Sequence, residues 1–225
     1  MDNVPKSRMR LRFARLEGAG SMSHLEQIRS LRDMAAASGL DCCPARNGRN
    51  LVPKMSFGPA LSAGYESLCE YADLYLAQTC KEEIVGAKLS AVKSGAFSLL
   101  SVKRVPVYFP SIEASVSAAR YLIEADFKGN FTREALDLFL ALKSALYTKP
   151  GAAGPGATLD VRPVVMSAEL DAAAGGLRLV LRVEPGKNVK PVEVLGVMAG
   201  GEIEIKRVVR EELYWLDSKG GLEVI

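Results

Sequence analysis

At 225 residues, with 48% hydrophobic and 24% charged side chains, the chain has the composition of a folded protein, long enough for one large domain or two small ones. This balance excludes an intrinsically disordered chain, and no run of 18 apolar residues is present to read as a membrane span. The net charge of +3 is modest but uneven: residues 1–110 carry 15 basic and 10 acidic groups, residues 111–225 carry 14 and 16. The excess gathers at Lys6, Arg8, Arg10, Arg12 and Arg15, then at Arg29, Arg32, Arg46, Arg49 and Lys54, a stripe suited either to phosphates or to solvent.

The start of the chain is basic and polar and lacks the apolar core of a signal peptide, so a cytoplasmic location is expected. The cysteines agree with it. Cys42 and Cys43 are adjacent, Cys69 and Cys80 lie far apart, and no C-x-x-C pair exists for a zinc ribbon or an iron–sulfur loop. The expectation is four free thiols, no metal and no cofactor.

Taken in order, Arg8–Leu16 alternates apolar Met9, Leu11 and Phe13 with Arg8, Arg10, Arg12 and Arg15, which predicts a half-exposed strand. Ser23, with Glu26 three residues later, makes a capping box that opens a helix through Leu25, Ile28, Leu31 and Met34 to Gly39. Residues 51–60 and 69–77 read as strands. Thr79 and Glu82 form a second capping-box pattern for a helix running toward Gly95, and Phe97–Val107 returns as a strand. The order then repeats: a strand at Ala118–Phe127, a helix at Thr132–Leu146, strands at Leu159–Leu170 and Leu177–Val183, a short helix from Pro191, and a long strand at Ile203–Leu216. The Pro- and Gly-rich stretch Pro150–Thr158 predicts an exposed loop inside the second unit.

Two successive β-α-β-β-α-β runs predict an α+β chain of tandem ferredoxin-like units. Each would hold an antiparallel sheet with helices on one face. The expected units are 1–110 and 111–225.

Candidate chemistry is sparse. His24 is the only histidine, which excludes a histidine-rich metal site and a two-histidine acid/base pair. At the first helical position it could meet an anion, or it could simply decorate a capped helix. Lys54 could bind phosphate as a point charge or be an ordinary strand-edge lysine. Gly186, Lys187 and Lys190 form a glycine-containing basic loop before a helix, a candidate phosphate loop without the Walker spacing. No Ser/His/Asp nucleophile signature and no cysteine-rich cluster loop is present.

Two motifs carry a family resemblance. One is Ser23, His24, Leu25 and Glu26 followed by Arg29. The other is the polar turn Asn47–Phe57, with Gly48, Asn50, Pro53, Lys54, Ser56 and Phe57 in the family pattern and Val52 where a histidine usually stands. Weaker echoes follow at Glu70-Tyr71-Ala72-Asp73, around Arg104–Pro110, and at Asp160-Val161-Arg162-Pro163. In these the chain resembles the radical-SAM-linked family, a domain of unknown function fused to, or encoded beside, radical-SAM proteins. The resemblance implies a radical-SAM partner, and any iron–sulfur chemistry would belong to that partner. It marks Ser23, His24, Glu26, Arg29, Asn50, Lys54 and Ser56 as site candidates, to which charge adds Arg46.

Two functions are therefore expected, which do not exclude each other: binding of RNA such as tRNA, and docking of the radical-SAM partner. The alternative is an enzyme using Ser23, His24, Asn50 and Lys54 as one constellation. Val52 in place of the histidine weighs against it.

Overall fold

The computed structural model describes residues 4–15, 21–93, 97–127, 131–151, 154–171, 175–184, 189–201 and 203–225. It is a mixed α/β chain of antiparallel sheets and few helices, divided into two compact units, Met1–Val116 and Ser117–Ile225. No helix among the described residues is long and apolar enough to cross a membrane.

Unit 1 runs β1 (Ser7–Arg15), α1 (His24–Ala37), β2 (Pro44–Asn47), β3 (Asn50–Pro53), β4 (Met55–Phe57), β5 (Glu66–Leu76), α2 (Glu82–Ser90), β6 (Phe97–Val105) and the short α3 (Ile112–Ser115). Its sheet has the order β4-β5-β1-β6, every pair antiparallel. Met9, Leu11 and Phe13 of β1 and Ala72, Leu74 and Leu76 of β5 form one core with Leu31, Met34 and Ala35 of α1 and Val85 and Leu89 of α2. Both long helices thus lie on one face of the sheet.

Four local readings change. First, β1 is buried along most of its length rather than half-exposed, because it is a central strand and its second face is also covered. Second, parity separates its arginines: Arg8, Arg10 and Arg12 share one face, whereas Arg15, an odd number of residues from them, points with Met9 and Phe13 toward α1. Third, the predicted strand over 51–60 is broken: residues 50–53 pair back on β2 as a hairpin, and only Met55–Phe57 joins the sheet. Fourth, α2 starts at Glu82 behind Lys81, with no side-chain cap, since Glu82 instead accepts the Arg104 N–H at 2.6 Å. The Ser23–Glu26 capping box forms as expected.

Unit 2 repeats the plan. It runs β7 (Ala118–Asp126), α4 (Arg133–Ala141), β8 (Leu146–Gly151), β9 (Gly154–Asp160), a 3-10 turn (Arg162–Val164), β10 (Val165–Asp171), β11 (Gly176–Arg182), α5 (Pro191–Ala199), β12 (Glu204–Leu216) and β13 (Leu222–Val224). The sheet order is β10-β11-β7-β12, again antiparallel, with β13 added on β12. The only tryptophan of the chain, Trp215, lies near the end of β12 and is partly exposed. The Pro- and Gly-rich stretch expected to be a loop is the hairpin β8–β9, and the long strand predicted over 159–170 is interrupted after Asp160 by the 3-10 turn. Each unit therefore inserts a two-stranded ribbon between its first helix and the next strand of its sheet: β2–β3 in unit 1, β8–β9 in unit 2.

Candidate nucleic-acid interface

The even-numbered residues of β1 lie on the face of the unit 1 sheet away from α1 and α2. Across it run the pairs Ser56–Asp73–Arg10–Lys103, flanked by Tyr75–Arg8–Val105 on one side and Tyr71–Arg12–Ser101 on the other. Asp73, fully buried, gathers two guanidiniums. Arg8 donates to Oδ2 from Nε (3.1 Å) and Nη2 (2.5 Å), and Arg10 donates from Nε to Oδ1 (2.9 Å) and from Nη2 to Oδ2 (3.2 Å). A buried cation without such a partner would carry a heavy desolvation cost.

Three arginines of the basic stripe, Arg8, Arg10 and Arg15, are thereby tied internally. Arg8 is wholly buried, its remaining donors on the carbonyls of Phe109 and Pro110 (2.7 Å each). Arg15 is also wholly buried, donating to Gln27 (3.1 Å) and to the Met22 carbonyl (2.6 Å), while Gln27 donates to Glu70 at 2.6 Å. The echo Glu70-Tyr71-Ala72-Asp73 therefore supplies an acid to each face of the sheet, one for each buried arginine cluster.

Cations nonetheless reach solvent. Lys54 is exposed, its Nζ 5.0 Å from the Tyr75 ring, which Arg8 approaches at 5.5 Å. Lys103 is exposed at the edge of the same face. Arg8's grip on the Phe109 and Pro110 carbonyls also fixes an aromatic arm: Tyr108, 85% exposed, packs edge-on against half-exposed Phe109 with centroids 5.3 Å apart. No aromatic stacking surface was legible from β1, whose one aromatic, Phe13, is in the core. The signal that could have found one was Tyr-Phe-Pro just past a strand, Tyr108-Phe109-Pro110.

The β2–β3 ribbon is a second cationic element. Asn47 pairs with Asn50, and Gly48 takes φ +59, the left-handed value a two-residue hairpin turn needs at its first central position. Arg46 and Arg49 are exposed, and no acidic residue occurs anywhere between Cys42 and Tyr65. Lys54 leads out of the ribbon, its N–H donating to the Cys43 carbonyl at 2.7 Å.

The remaining candidates scatter. Ser23 and Glu26 are exposed and satisfy each other: the Ser23 N–H and Oγ donate to Glu26 at 2.7 Å each, and the Glu26 N–H donates to Oγ at 3.3 Å. Those bonds, with Arg29 adding a smaller attraction, hold the Glu26 carboxyl below its ordinary range. His24 is half-buried and Arg29 exposed. Ser56 lies on the same face as Arg10, opposite Asp73. Asn50 begins β3, and β3 lines a groove with Ala36 and Leu40, beyond the middle of α1. His24 opens the same 14-residue helix, so roughly two turns or more separate it from that groove. Ser23, His24, Asn50 and Lys54 are therefore not brought into one constellation. Gly186 and Lys187 lie outside the described residues; Lys190 stands at the N-cap of α5, its N–H donating to Glu193 at 2.8 Å.

The corresponding face of unit 2 is balanced. Arg178 bonds Glu211 (2.9 Å) and Asp171, and Glu211 also meets Arg120 at 3.1 Å.

Residues 8–191 match the sequence model of a family described as "Uncharacterized protein conserved in bacteria (DUF2344)". No curated protein matches the sequence. Among solved structures, the chain is similar to one described as "Structure of H/ACA RNP bound to a substrate RNA containing 2'-deoxyuridine", with TM-score 0.43 and 10% identity over 88% of this chain and 46% of that one. It is similar also to one described as "Crystal Structure of a Cbf5-Nop10-Gar1 Complex", with TM-score 0.44 and 10% identity over 90% and 48%. The chain spans less than half the length of either.

Proposed function

The chain belongs to the DUF2344 family of uncharacterized proteins conserved in bacteria, and from that footing we propose that it is an RNA-binding module made of two ferredoxin-like units. The four-stranded antiparallel order found in each unit, with its helices between the strands, supports the fold part of this reading. The observation that carries the binding part is the acid-free cationic ribbon, with Arg46 and Arg49 exposed at its tip and Lys54 at its base. Phosphate contacts need cations that are not already neutralised, and these three have no acidic neighbour in the ribbon. The aromatic arm held by Arg8 adds a surface on which an unpaired base can stack.

The test is fluorescence anisotropy of the whole chain titrated with labelled tRNA and with an unrelated RNA hairpin at two salt concentrations. Binding that weakens steeply with salt supports the reading, and preference for one RNA makes it a recognition module. Absence of binding at low salt overturns it.

A second reading, docking of a radical-SAM protein, rests on the motif resemblance at Ser23–Arg29 and Asn47–Phe57. The surface that favours it is a groove of about 280 Å³ lined by Ala36, Leu40, Cys42, Leu51 and Val52, where the Leu51 side chain stands mostly in solvent.

A further inference from the structure

Strand β6 forms the edge of the unit 1 sheet: among the described residues it pairs with β1 alone. The Arg104 N–H donates to the Glu82 carboxylate at 2.6 Å, so that amide points away from β1. In an antiparallel ladder the outward-pointing residues alternate, which makes Val102 outward too, its N–H and C=O facing solvent. Val102 is the partner of Leu11, and the next shift in register leaves Leu100 as an extra residue, half-exposed. Beside this edge runs a groove of about 290 Å³ between β6 and α2, walled by Leu99–Val102 and by Glu82, Glu83, Gly86 and Ser90. Gly86 keeps the helix wall low where it passes Val102: a Cβ there would lie 3.6 Å from Val102 Cγ2.

An unpaired strand edge beside a helix-walled groove has the hydrogen-bonding geometry for adding one more strand. The two charges on the walls of this groove are both negative, Glu82 and Glu83; on their other side the same two glutamates line a second cavity with Lys81 and Arg104, whose guanidinium donates back to the Cys80 carbonyl. We propose that β6 and α2 capture an extended basic segment of a partner protein, added as a strand along Leu100–Val102 with a lysine or arginine directed at Glu82 and Glu83. Glu82 already holds the Arg104 amide, so the added strand ends there. This site stands apart from the cationic ribbon, and the RNA reading can fail or hold without it.

The probe is a labelled heptapeptide of alternating lysine and valine, with alternating glutamate and valine as control, titrated into the whole chain by anisotropy. Saturable binding of the lysine peptide, at least tenfold tighter than the control and lost in Val102→Pro, is expected. Proline there removes only an outward N–H, which an edge strand tolerates. Circular dichroism verifies the fold, and if Val102→Pro fails to fold, Glu83→Lys together with amide exchange at Val102 decides. Weaker binding by Glu83→Lys and slowed exchange of Val102 in the wild type on peptide addition support the proposal. Equal binding of both peptides, no binding, or unchanged exchange overturns it. Concentration-dependent dimerisation that the peptide does not compete away also overturns it, because the edge would then belong to a second copy.

Discussion

Arg8 and Asp73, 65 residues apart in the chain, form a fully buried ion pair whose Nη2–Oδ2 distance is 2.5 Å, and Arg10 completes it from the neighbouring position on β1. The pair fixes the register of β1 against β5 on the face that no long helix covers. Through Arg8 it also holds the chain at Phe109 and Pro110. Asp73→Asn leaves a buried guanidinium without its counter-charge and is expected to cost about 3–5 kcal/mol. Urea unfolding measures the loss, and Arg8→Met in the same chain should restore part of it. A midpoint unchanged by Asp73→Asn would show that solvent reaches the pair.

On the ribbon the expectation is the opposite, a change in binding without a change in stability. Arg46→Ala with Arg49→Ala removes two exposed cations and should shift unfolding by no more than about 0.5 kcal/mol. If each arginine holds one phosphate of a single strand, the slope of log affinity against log salt falls by about 1.4. Loss of binding with an unchanged slope would mean the arginines act by something other than phosphate contact.

Acid should loosen two helix and turn junctions in particular. The carboxyls of Glu26 and Asp160 are both held below their ordinary range. Glu26 is held by hydrogen bonds from Ser23, Asp160 first by the Ala145 N–H, with Ser144 and the Arg162 N–H adding to it. A depressed folded-state pKa contributes stability above the unfolded value that is lost as pH falls through the folded one. Ser23→Ala, which also removes the N-cap at a cost of about 1 kcal/mol near neutral pH, and Asp160→Ala should therefore flatten the fall in stability between pH 5 and pH 2. Parallel curves for wild type and variants would separate these carboxylates from the acid response.

Cys42 gives a chemical check on the α1–ribbon junction. Burial, then the neighbouring Cys43 and Asp41, pushes its thiol up to about 11. At pH 8 only about one molecule in a thousand carries the thiolate, the form that alkylates. Iodoacetamide labelling of Cys42, read by mass spectrometry, should be slow at pH 8 and rise about tenfold per pH unit toward pH 10. Fast labelling at pH 8 would show that this junction opens.

The order of elements was legible because apolar period and capping chemistry agree through most of the chain. Ser23 with Glu26, and Pro191 at the start of α5, mark helix starts that the structure keeps. The ribbons were not legible: β3 and β4 abut with only Lys54 between them, and hydropathy does not say that one pairs with β2 and the other with β5. The arginine stripe misled for a related reason. Its charge is visible in sequence, but Asp73 and the tie from Arg15 through Gln27 to Glu70 come from strands and helices brought together only by folding. Asp160-Val161-Arg162-Pro163 proved to be joinery. Asp160 accepts two backbone N–H groups, and the Arg162 guanidinium spans the Leu140 and Val165 carbonyls over the Phe139 ring.

The place of Trp215 on β12 has a spectroscopic consequence. Because it is the only tryptophan in the chain, an emission spectrum excited at its red edge reports on Ser117–Ile225 and is blind to the other unit, whose aromatic signal comes from tyrosine. Tryptophan emission thus follows the melting of Ser117–Ile225 alone, whereas tyrosine absorbance sums both units, with Tyr65, Tyr71, Tyr75 and Tyr108 in the first and Tyr121, Tyr147 and Tyr214 in the second. Coincident curves mean that the chain melts in one step, divergent curves that it melts in two.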